Sequence, residues 1–262
     1  MKWQRIVPFE SKNLQQEIWI YDAPDCRKEH TVEVALGKEI DILALKINSI
    51  EDFAKKVSNT KNSRELAYKS KDNLEVVAVC PVCDNQSDLA QEILNIYGAS
   101  YCRCNRCFHC YVLYRPTEKY LKDFYRNNVE YQSTYADKRT LEVRIEQVVM
   151  PKLEYILRQY ERKYKRMPKS ILDVGAGSGH FVYACRKLGI ACEGIEISES
   201  GRSFCRENFN IELQNIDFLK AADRFNCDIV TFWGLVEHIN SPVEMLKCAK
   251  QALGSEGMIV VD

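Results

Sequence analysis

The strongest constraint on the fold is the alternation of strand-like and helix-like segments that begins at residue 170. Five short apolar runs predict strands: SILDV, ACEGIEI, IELQNI, CDIVTFW and GMIVVD. Between them lie HFVYACRKLG, SGRSFCRENF and PVEMLKCAKQAL, which have the apolar spacing of helices. Such alternation indicates βαβ units, and therefore an α/β fold with a parallel sheet covered by helices on both faces.

The first strand is joined to the first helix by a glycine-rich turn, ILDVGAGSGHF at 171–181. Gly175, Gly177 and Gly179 form G-x-G-x-G, whereas a dinucleotide site needs a third glycine where His180 stands. The Gly-Lys-Ser/Thr of a Walker loop does not follow either. Asp173 would repel a pyrophosphate but suits a positively charged ammonium group. Glu196 lies about twenty residues further on, where a carboxylate can accept both hydroxyls of a ribose.

These features favour a ligand that has a ribose and a cationic amino acid end but no phosphate. The alternative is a tight strand-to-helix turn that binds nothing. The stretch ILDVGAGSGHF, followed by GIEIS, resembles the first motifs of class I S-adenosylmethionine-dependent methyltransferases. The resemblance runs from about residue 170 to Asp262 and implies a Rossmann-like methyltransferase sheet that binds S-adenosyl-L-methionine. It implies these cofactor-binding residues: Asp173, Gly175, Ala176, Gly177, Gly179, Glu196, Ile197, Asp217, Phe218, Trp233 and Gly234.

The loop after the fourth strand bears on the acceptor. DIVTFWGLVEHINSP is similar to the corresponding loop of the small-molecule branch of that family, and it lacks the Asn/Asp-Pro-Pro-Tyr/Phe of enzymes that methylate base amines. An oxygen or carbon acid acceptor must lose a proton, which suits histidine. We therefore take His238 as the candidate base and Glu237 as its neighbour in catalysis. The alternative is that both side chains hold the loop by hydrogen bonds. For Asp217 the alternative is a helix N-cap.

Six of the twelve cysteines lie between residues 76 and 117. The knuckles Cys80-Pro-Val-Cys83 and Cys104-Asn-Arg-Cys107 predict a structural Zn²⁺ site with four thiolate ligands in a small ribbon-like module. Cys102 and Cys110 offer other pairings, and an iron–sulfur cluster is the alternative to zinc. The sequence after the second knuckle resembles the zinc-bearing amino-terminal region of sugar C-methyltransferases. This resemblance favours as zinc ligands Cys80, Cys83, Cys104 and Cys107. Phe108 departs from that pattern, where glycine is usual.

The chain divides into four predicted parts. Residues 1–75 are unassigned, although NTKNSRELAYKSKDN within them reads as a linker or an exposed helix. Residues 76–117 form the zinc module, 118–168 a helical lid or linker, and 169–262 the methyltransferase domain. Pro151 is expected to kink the helical pattern that surrounds it or to begin a new helix. By resemblance, the segment with Tyr125, Tyr131 and Tyr135 covers the cofactor; the alternative is that these tyrosines pack a helix.

Lys and Arg together number 37, and Asp and Glu together also number 37. The chain therefore has no net charge that would attract nucleic acid or a membrane surface. The first ten residues contain no apolar signal segment, and we expect a cytoplasmic protein. We expect a small-molecule acceptor, by O- or C-methylation, with a nucleotide-linked sugar as one candidate. The other hypotheses are a non-catalytic cofactor-binding scaffold and an RNA methyltransferase.

The last predicted strand ends at Asp262, whereas the resemblance implies two further strands that form a hairpin beside it. The predicted sheet is thus incomplete at its carboxy-terminal side, and an apolar strand edge would be open. We expect that the chain is a fragment, or that the first seventy residues, a partner chain or a second copy cover this edge.

Overall fold

The computed structural model describes residues 2–10, 14–23, 26–35, 40, 45, 50–127 and 137–262. The chain forms two compact units, residues 1–41 and residues 42–262. The first unit is an antiparallel sheet of three strands, β1 Lys2–Glu10, β2 Leu14–Ala23 and β3 Cys26–Ala35. Its buried Glu17 is ion-paired with Arg5 and accepts a hydrogen bond from Trp19 Nε1 at 2.8 Å.

The second unit opens with helix α1, Ile50–Lys69, which contains most of the stretch expected to be a linker or an exposed helix. The cysteine-rich module that follows is built from two small antiparallel sheets. Strand β4, Leu74–Val76, pairs with β8, Tyr114–Pro116; β5, Gln91–Ile96, β6, Ala99–Arg103, and β7, Cys110–Val112, form the other sheet. Helix α2, Glu118–Asn127, comes next.

The helical pattern around Pro151 forms one helical run with an irregular turn. Helix α3, Leu141–Arg144, passes through a π-helical turn, Ile145–Val149, into helix α4, Met150–Tyr164. Proline has no N–H to donate to the carbonyl four residues back, so a wider turn just before it accommodates the ring. Pro151 therefore stands in the first turn of a new α segment, as the second of the two expected outcomes has it.

The carboxy-terminal part is a parallel sheet with the strand order Ala191–Ile195, Ser170–Val174, Cys227–Phe232 and Leu253–Val261. Its elements are β9 Ser170–Val174, α5 His180–Lys187, β10 Ala191–Ile195, α6 Glu199–Phe209, α7 Phe218–Ala221, β11 Cys227–Phe232, α8 Pro242–Gln251 and β12 Leu253–Val261. This agrees with the α/β expectation from the alternating pattern.

The expected third strand differs from the prediction. Within 211–216 only Gln214 pairs, through a parallel bridge to Ile195, so the described residues contribute four strands to this sheet rather than five. Gln214 N donates to Gly194 O at 2.8 Å, and Gln214 O accepts from Glu196 N at 3.0 Å. Ile211 and Leu213 are buried in the core, which explains the alternating pattern without a regular strand.

Apolar side chains cover both faces of the sheet. Helices α4 and α5 pack one cluster around Leu153, Ile156 and Phe181, and α7 and α8 pack another around Phe218, Phe232 and Met245. Among the described residues, β12 pairs with β11 along one edge only. Helix α4 contacts β12 as well, because Tyr164 Oη donates to Gly257 O at 2.7 Å.

Asp228 joins α4 to the start of the sheet. Its Oδ1 accepts from Tyr160 Oη at 3.0 Å and from Arg166 Nη2 at 2.8 Å. Its Oδ2 accepts from the backbone N of Lys169 at 2.5 Å and of Ser170 at 3.3 Å. Burial alone would raise the pKa of this carboxyl, but these donors hold it at about 2. None of the described helices combines the length and the apolar character needed to cross a membrane.

Candidate functional site

The glycine turn after β9 has a backbone that requires glycine. Gly175, Gly177 and Gly179 have φ of +76°, +55° and +77°. L-residues rarely adopt this left-handed region. Gly179 also makes a close contact, since a Cβ there would lie 2.1 Å from Cys205 Sγ on α6. Gly179 is therefore needed for packing as well as for the turn.

Gly177 has a different surrounding. A Cβ added there would have no heavy atom within 4 Å, whereas at Gly175 it would lie 3.0 Å from Leu235. The backbone N atoms of Gly175 and Ala176 both donate to Ile195 O at 2.9 Å, which ties the turn to β10. The turn is thus rigidly held and presents an open backbone surface at Gly177.

Glu196 directly follows β10 and reaches the same turn. Its Oε2 accepts from Gly177 N at 2.7 Å, and its Oε1 accepts from Ser198 N at 2.6 Å. Burial raises the pKa of this carboxyl. The structure therefore brings Glu196 to the open face of Gly177, while the neighbouring Ile197 is 46% exposed.

Asp173 lies beneath the turn, in β9, and is 1% exposed. Its Oδ1 accepts a hydrogen bond from Thr231 Oγ1 at 2.7 Å. Burial raises the pKa of Asp173 to about 7, with Thr231 lowering it, the Glu196 charge raising it and Lys152 lowering it. The sequence did not identify Thr231 as the hydrogen-bond donor to Asp173, because a single hydroxyl within an apolar run does not form a recognisable motif.

Asp217 is the N-cap of helix α7, which is the alternative to cofactor binding that the sequence offered for this residue. Its side chain accepts from Leu219 N at 3.2 Å, and its other oxygen lies 3.7 Å from Lys220 Nζ. Phe218 is buried and packs edge-on against Phe232, with ring centroids 6.1 Å apart. A role for this pair at the adenine ring stays a prediction.

The loop after β11 begins with Trp233 and Gly234. The Trp233 ring lies 5.3 Å from the ring of Phe181 and 4.5 Å from Lys152 Nζ, measured from ring centroids. Gly234 has φ of +60°, and its N donates to Asp262 Oδ1 at 2.7 Å. Asp262 is in turn ion-paired with Lys152. This end of the loop is therefore anchored to the end of β12 and to α4.

Glu237 and His238 occupy a short 3-10 turn, Val236–His238, within that loop. Their side chains are 54% and 46% exposed, and His238 Nε2 lies 3.8 Å from Glu237 Oε1. That separation is too long for a hydrogen bond. The two candidate catalytic side chains are thus neighbours on the exposed side of the loop, where an acceptor could approach them.

His180 begins helix α5 and faces away from solvent. Its ring packs between Phe204 and Phe209, with centroids 5.7 Å and 5.4 Å away. Burial, followed by the charge of Arg144, lowers the pKa of His180 to about 4. This histidine is neutral at physiological pH and packs in the core.

The four expected zinc ligands lie together. The Sγ atoms of Cys80, Cys83, Cys104 and Cys107 are all within 4.8 Å of one another. Two of the S–S separations, Cys80 to Cys107 and Cys83 to Cys104, are 3.6 Å. A tetrahedral site with Zn–S bonds of about 2.3 Å requires sulfur atoms about 3.8 Å apart. The donor set and its spacing fit zinc, and neither Cys102 in β6 nor Cys110 in β7 is part of the cluster.

The two knuckles have the same backbone turn. Asp84 N donates to Cys80 O and Phe108 N to Cys104 O, both at 3.0 Å. Asp84 and Phe108 have φ of +58° and +63°, the left-handed conformation that glycine adopts most easily. The turn explains why a glycine is usual at the position of Phe108. The expectation for Tyr125, Tyr131 and Tyr135 lies outside the described residues, since the side chain of Tyr125 and both other tyrosines are not described.

Comparison with known proteins identifies the part of the chain that holds the glycine turn. Residues 144–262 match the model of a family described as a methyltransferase domain. The match covers 119 of the 262 residues, a little under half of the chain. The resemblance to class I S-adenosylmethionine-dependent methyltransferases is thereby confirmed.

Curated relatives of the methyltransferase domain include ubiquinone biosynthesis O-methyltransferases. The protein from Coxiella burnetii (strain RSA 493 / Nine Mile phase I) is 36% identical over 107 residues, which are 37% of this chain and 43% of that protein. The protein from Pasteurella multocida (strain Pm70) is 30% identical over 107 residues, 35% of this chain and 44% of that one. The chain thus spans less than half the length of these relatives.

Solved structures also resemble the chain in part. The plantazolicin methyltransferase BpumL in complex with SAH is 22% identical, with a TM-score of 0.44 over 53% of this chain and 56% of that one. A SAM-dependent methyltransferase from Archaeoglobus fulgidus is 23% identical, with a TM-score of 0.35 over 47% of this chain and 57% of that one.

Proposed function

We propose that the chain binds S-adenosyl-L-methionine at the turn of 175–179 and transfers its methyl group to a small-molecule acceptor. The observation that carries this proposal is the pairing of Gly177 with Glu196. An open backbone face lies beside a partly buried carboxylate, at a distance of 2.7 Å between Gly177 N and Glu196 Oε2. That arrangement suits a ribose whose hydroxyls replace the backbone amide as donors to the carboxylate.

The other cofactor residues extend from this pair. Asp173 supplies negative charge beneath the turn for the ammonium group of the methionine end. Ile197 is exposed beside Glu196 and offers an apolar surface to the adenine ring. Trp233 and Gly234 border the methionine end, while Asp217 and Phe218 stand beyond the adenine. No phosphate fits here, because Asp173 and Glu196 would both repel it.

The bound cofactor supplies a methyl group on a positively charged sulfur. The acceptor's oxygen or carbon would form the new bond to that methyl carbon, and the sulfur would keep the electron pair of the broken C–S bond. His238 takes the proton that the acceptor loses, and the charge of Glu237, 3.8 Å away, favours the imidazolium that forms. Most of the acceleration comes from holding the acceptor in line with the methyl group.

We further propose that Cys80, Cys83, Cys104 and Cys107 hold a structural Zn²⁺. Four thiolates fill a tetrahedral site, so no position is open for substrate. The metal stabilises a module whose buried apolar cluster consists chiefly of Val77, Tyr111 and the cysteines themselves.

The acceptor class follows from two observations that point in different directions. The relatives named as ubiquinone biosynthesis O-methyltransferases favour an oxygen acceptor. The zinc module resembles that of sugar C-methyltransferases and favours a nucleotide-linked sugar. A small metabolite is common to both, and neither supports a nucleic acid.

The proposal is tested by calorimetry with S-adenosylhomocysteine and by mass spectrometry after incubation with labelled cofactor and cell metabolites. Glu196→Gln is expected to weaken binding by about 1–3 kcal/mol, since a partly buried acceptor is replaced by an amide that cannot serve both donors. Unchanged affinity in both Glu196→Gln and Asp173→Asn would contradict the cofactor site.

His238→Ala is expected to abolish methyl transfer while leaving cofactor affinity unchanged. His30→Ala, on the exposed face of β3, is the matched control and should leave both unchanged. Transfer retained by His238→Ala would remove His238 as the base without affecting the cofactor site.

A further inference from the structure

One arginine connects the zinc module to the loop that holds Glu237 and His238. Arg115 lies in β8, directly opposite Glu75 of β4. Its Nε donates to Glu75 Oε1 at 2.6 Å, and its Nη1 donates to Asn240 O at 3.2 Å. Asn240 is two residues beyond His238 and directly precedes the N-cap, Ser241, of helix α8.

Few backbone hydrogen bonds form within the loop, although Leu235, Val236 and Ile239 pack against the core cluster around Phe218 and Met245. Between Gly234 and Asn240 the backbone bonds are His238 N to Leu235 O at 2.9 Å and a longer one, 3.5 Å, from Ile239 N to Val236 O. Asp262 holds the first end of the loop through Gly234 N. Arg115 holds the other end. Polar contacts therefore hold both ends of the loop that carries His238, one from the end of the sheet and one from the zinc module, in addition to the packing of its apolar side chains.

The pair of strands that contains Arg115, β4 and β8, continues directly into the cysteine knuckles. Strand β4 ends four residues before Cys80, and Val77 N donates to Leu113 O at 2.9 Å, which extends the pairing with β8 into the module. The side chain of Arg115 is 27% exposed, so water competes only partly with Glu75 and Asn240 for its hydrogen bonds. A cleft of 310 Å³ lies beside this contact, lined by the first knuckle, Arg115, Asn240 and the first turns of α8.

We infer that Arg115 is a positioning residue through which the metal-bound module fixes the loop of 234–240 for the acceptor. This inference rests on the proposed function, in which that loop faces the acceptor. The module then serves the reaction without touching the cofactor or offering an open metal position. Loss of the metal would loosen the loop while leaving the turn of 175–179 intact.

The test is amide hydrogen exchange on the full, zinc-loaded chain, read in peptides that cover 234–241 and 171–180. Arg115→Ala is expected to raise exchange in 234–241 at least fivefold, with no change in 171–180, in zinc content or in affinity for S-adenosylhomocysteine. Arg115→Lys should restore part of the protection, because an ammonium can reach Asn240 O but cannot also form the second arm of the bridge. Arg103→Ala, in the same module, removes a guanidinium that bonds Gln91 instead and should change nothing.

Zinc removal by a chelator provides the second arm. In the unaltered chain it should raise exchange in 234–241 to the level of Arg115→Ala, and in Arg115→Ala it should add no further increase there. Where product formation is measurable, Arg115→Ala should lower its rate and Arg115→Lys should recover part of it, at unchanged cofactor affinity.

Three results would overturn the inference: unchanged exchange in 234–241, an equal rise in 171–180, or loss of zinc from Arg115→Ala. The last would do so because the two hydrogen bonds described for the guanidinium go to Glu75 and Asn240, not to a cysteine. Failure of S-adenosylhomocysteine to bind at all would contradict the proposed function, whereas the exchange data would still decide the role of Arg115.

Discussion

Thr231 Oγ1 donates a hydrogen bond to Asp173 Oδ1 at 2.7 Å, and both side chains are inaccessible to solvent or nearly so. The pair joins β11 to β9 beneath the glycine turn. One hydroxyl does not compensate for the removal of a carboxylate from water, so the pKa of Asp173 stays raised, at about 7, instead of its ordinary 3.8. The charge of this side chain therefore changes near neutral pH.

The first prediction is that binding of S-adenosylhomocysteine strengthens as pH rises from 6 to 8. An ionised Asp173 attracts the ligand's ammonium group, and ionisation increases about tenfold over this interval for a group of this pKa. Glu196 also faces the site, and Lys152 is the nearby cation. Calorimetry at several pH values should show the slope in the unaltered chain and in Glu196→Gln, and a flat profile in Asp173→Asn. A slope retained in Asp173→Asn would assign it to another group.

The second prediction is that the contribution of Asp173 to the stability of the folded chain decreases as pH rises, whereas ligand binding strengthens. Because the folded pKa of Asp173 is raised above the unfolded value, the folded chain binds more protons between about pH 4 and pH 7. This carboxyl therefore makes folding less favourable as pH rises through that window. Asp173→Asn should unfold at a higher temperature than the unaltered chain at pH 8, and the difference should vanish near pH 4. An equal difference at both pH values would contradict this origin.

The glycine turn and its contact with Glu196 were predictable because their constraints are local. Three left-handed backbone positions require glycine, and a carboxylate about twenty residues later marks the end of the next strand. Thr231 and Arg115 were not predictable, since their roles depend on which distant segment each faces. Arg115 and Asn240 are 125 residues apart in the chain. The prediction of a third strand at IELQNI was wrong. The side chains at the start of this stretch alternate between buried and exposed, as they do in a strand, but only Gln214 forms a backbone pair.

The third prediction is that acid weakens the attachment of helix α4. The donors around Asp228 hold its folded pKa at about 2, below the ordinary 3.8. Its contribution is present above about pH 4 and is lost as pH falls towards 2, and the shift corresponds to about 2 kcal/mol. Asp228→Asn should lower the free energy of unfolding at pH 7 by about that amount and much less at pH 2. Denaturant titrations at the two pH values measure this difference.

The last prediction distinguishes the two knuckle turns. Phe108 and Asp84 have nearly the same positive φ, but a left-handed conformation is more costly for a bulky residue than for Asp. Phe108→Gly should therefore stabilise the zinc module by about 1 kcal/mol, and Asp84→Gly by less. The measurement is the chelator concentration that removes half of the metal, with Cys110→Ser, outside the cluster, as the control that keeps metal content unchanged. Cys104→Ser should lose the metal. If Phe108→Gly released zinc more easily than the unaltered chain, the Phe108 ring would be contributing more through packing than the backbone strain costs.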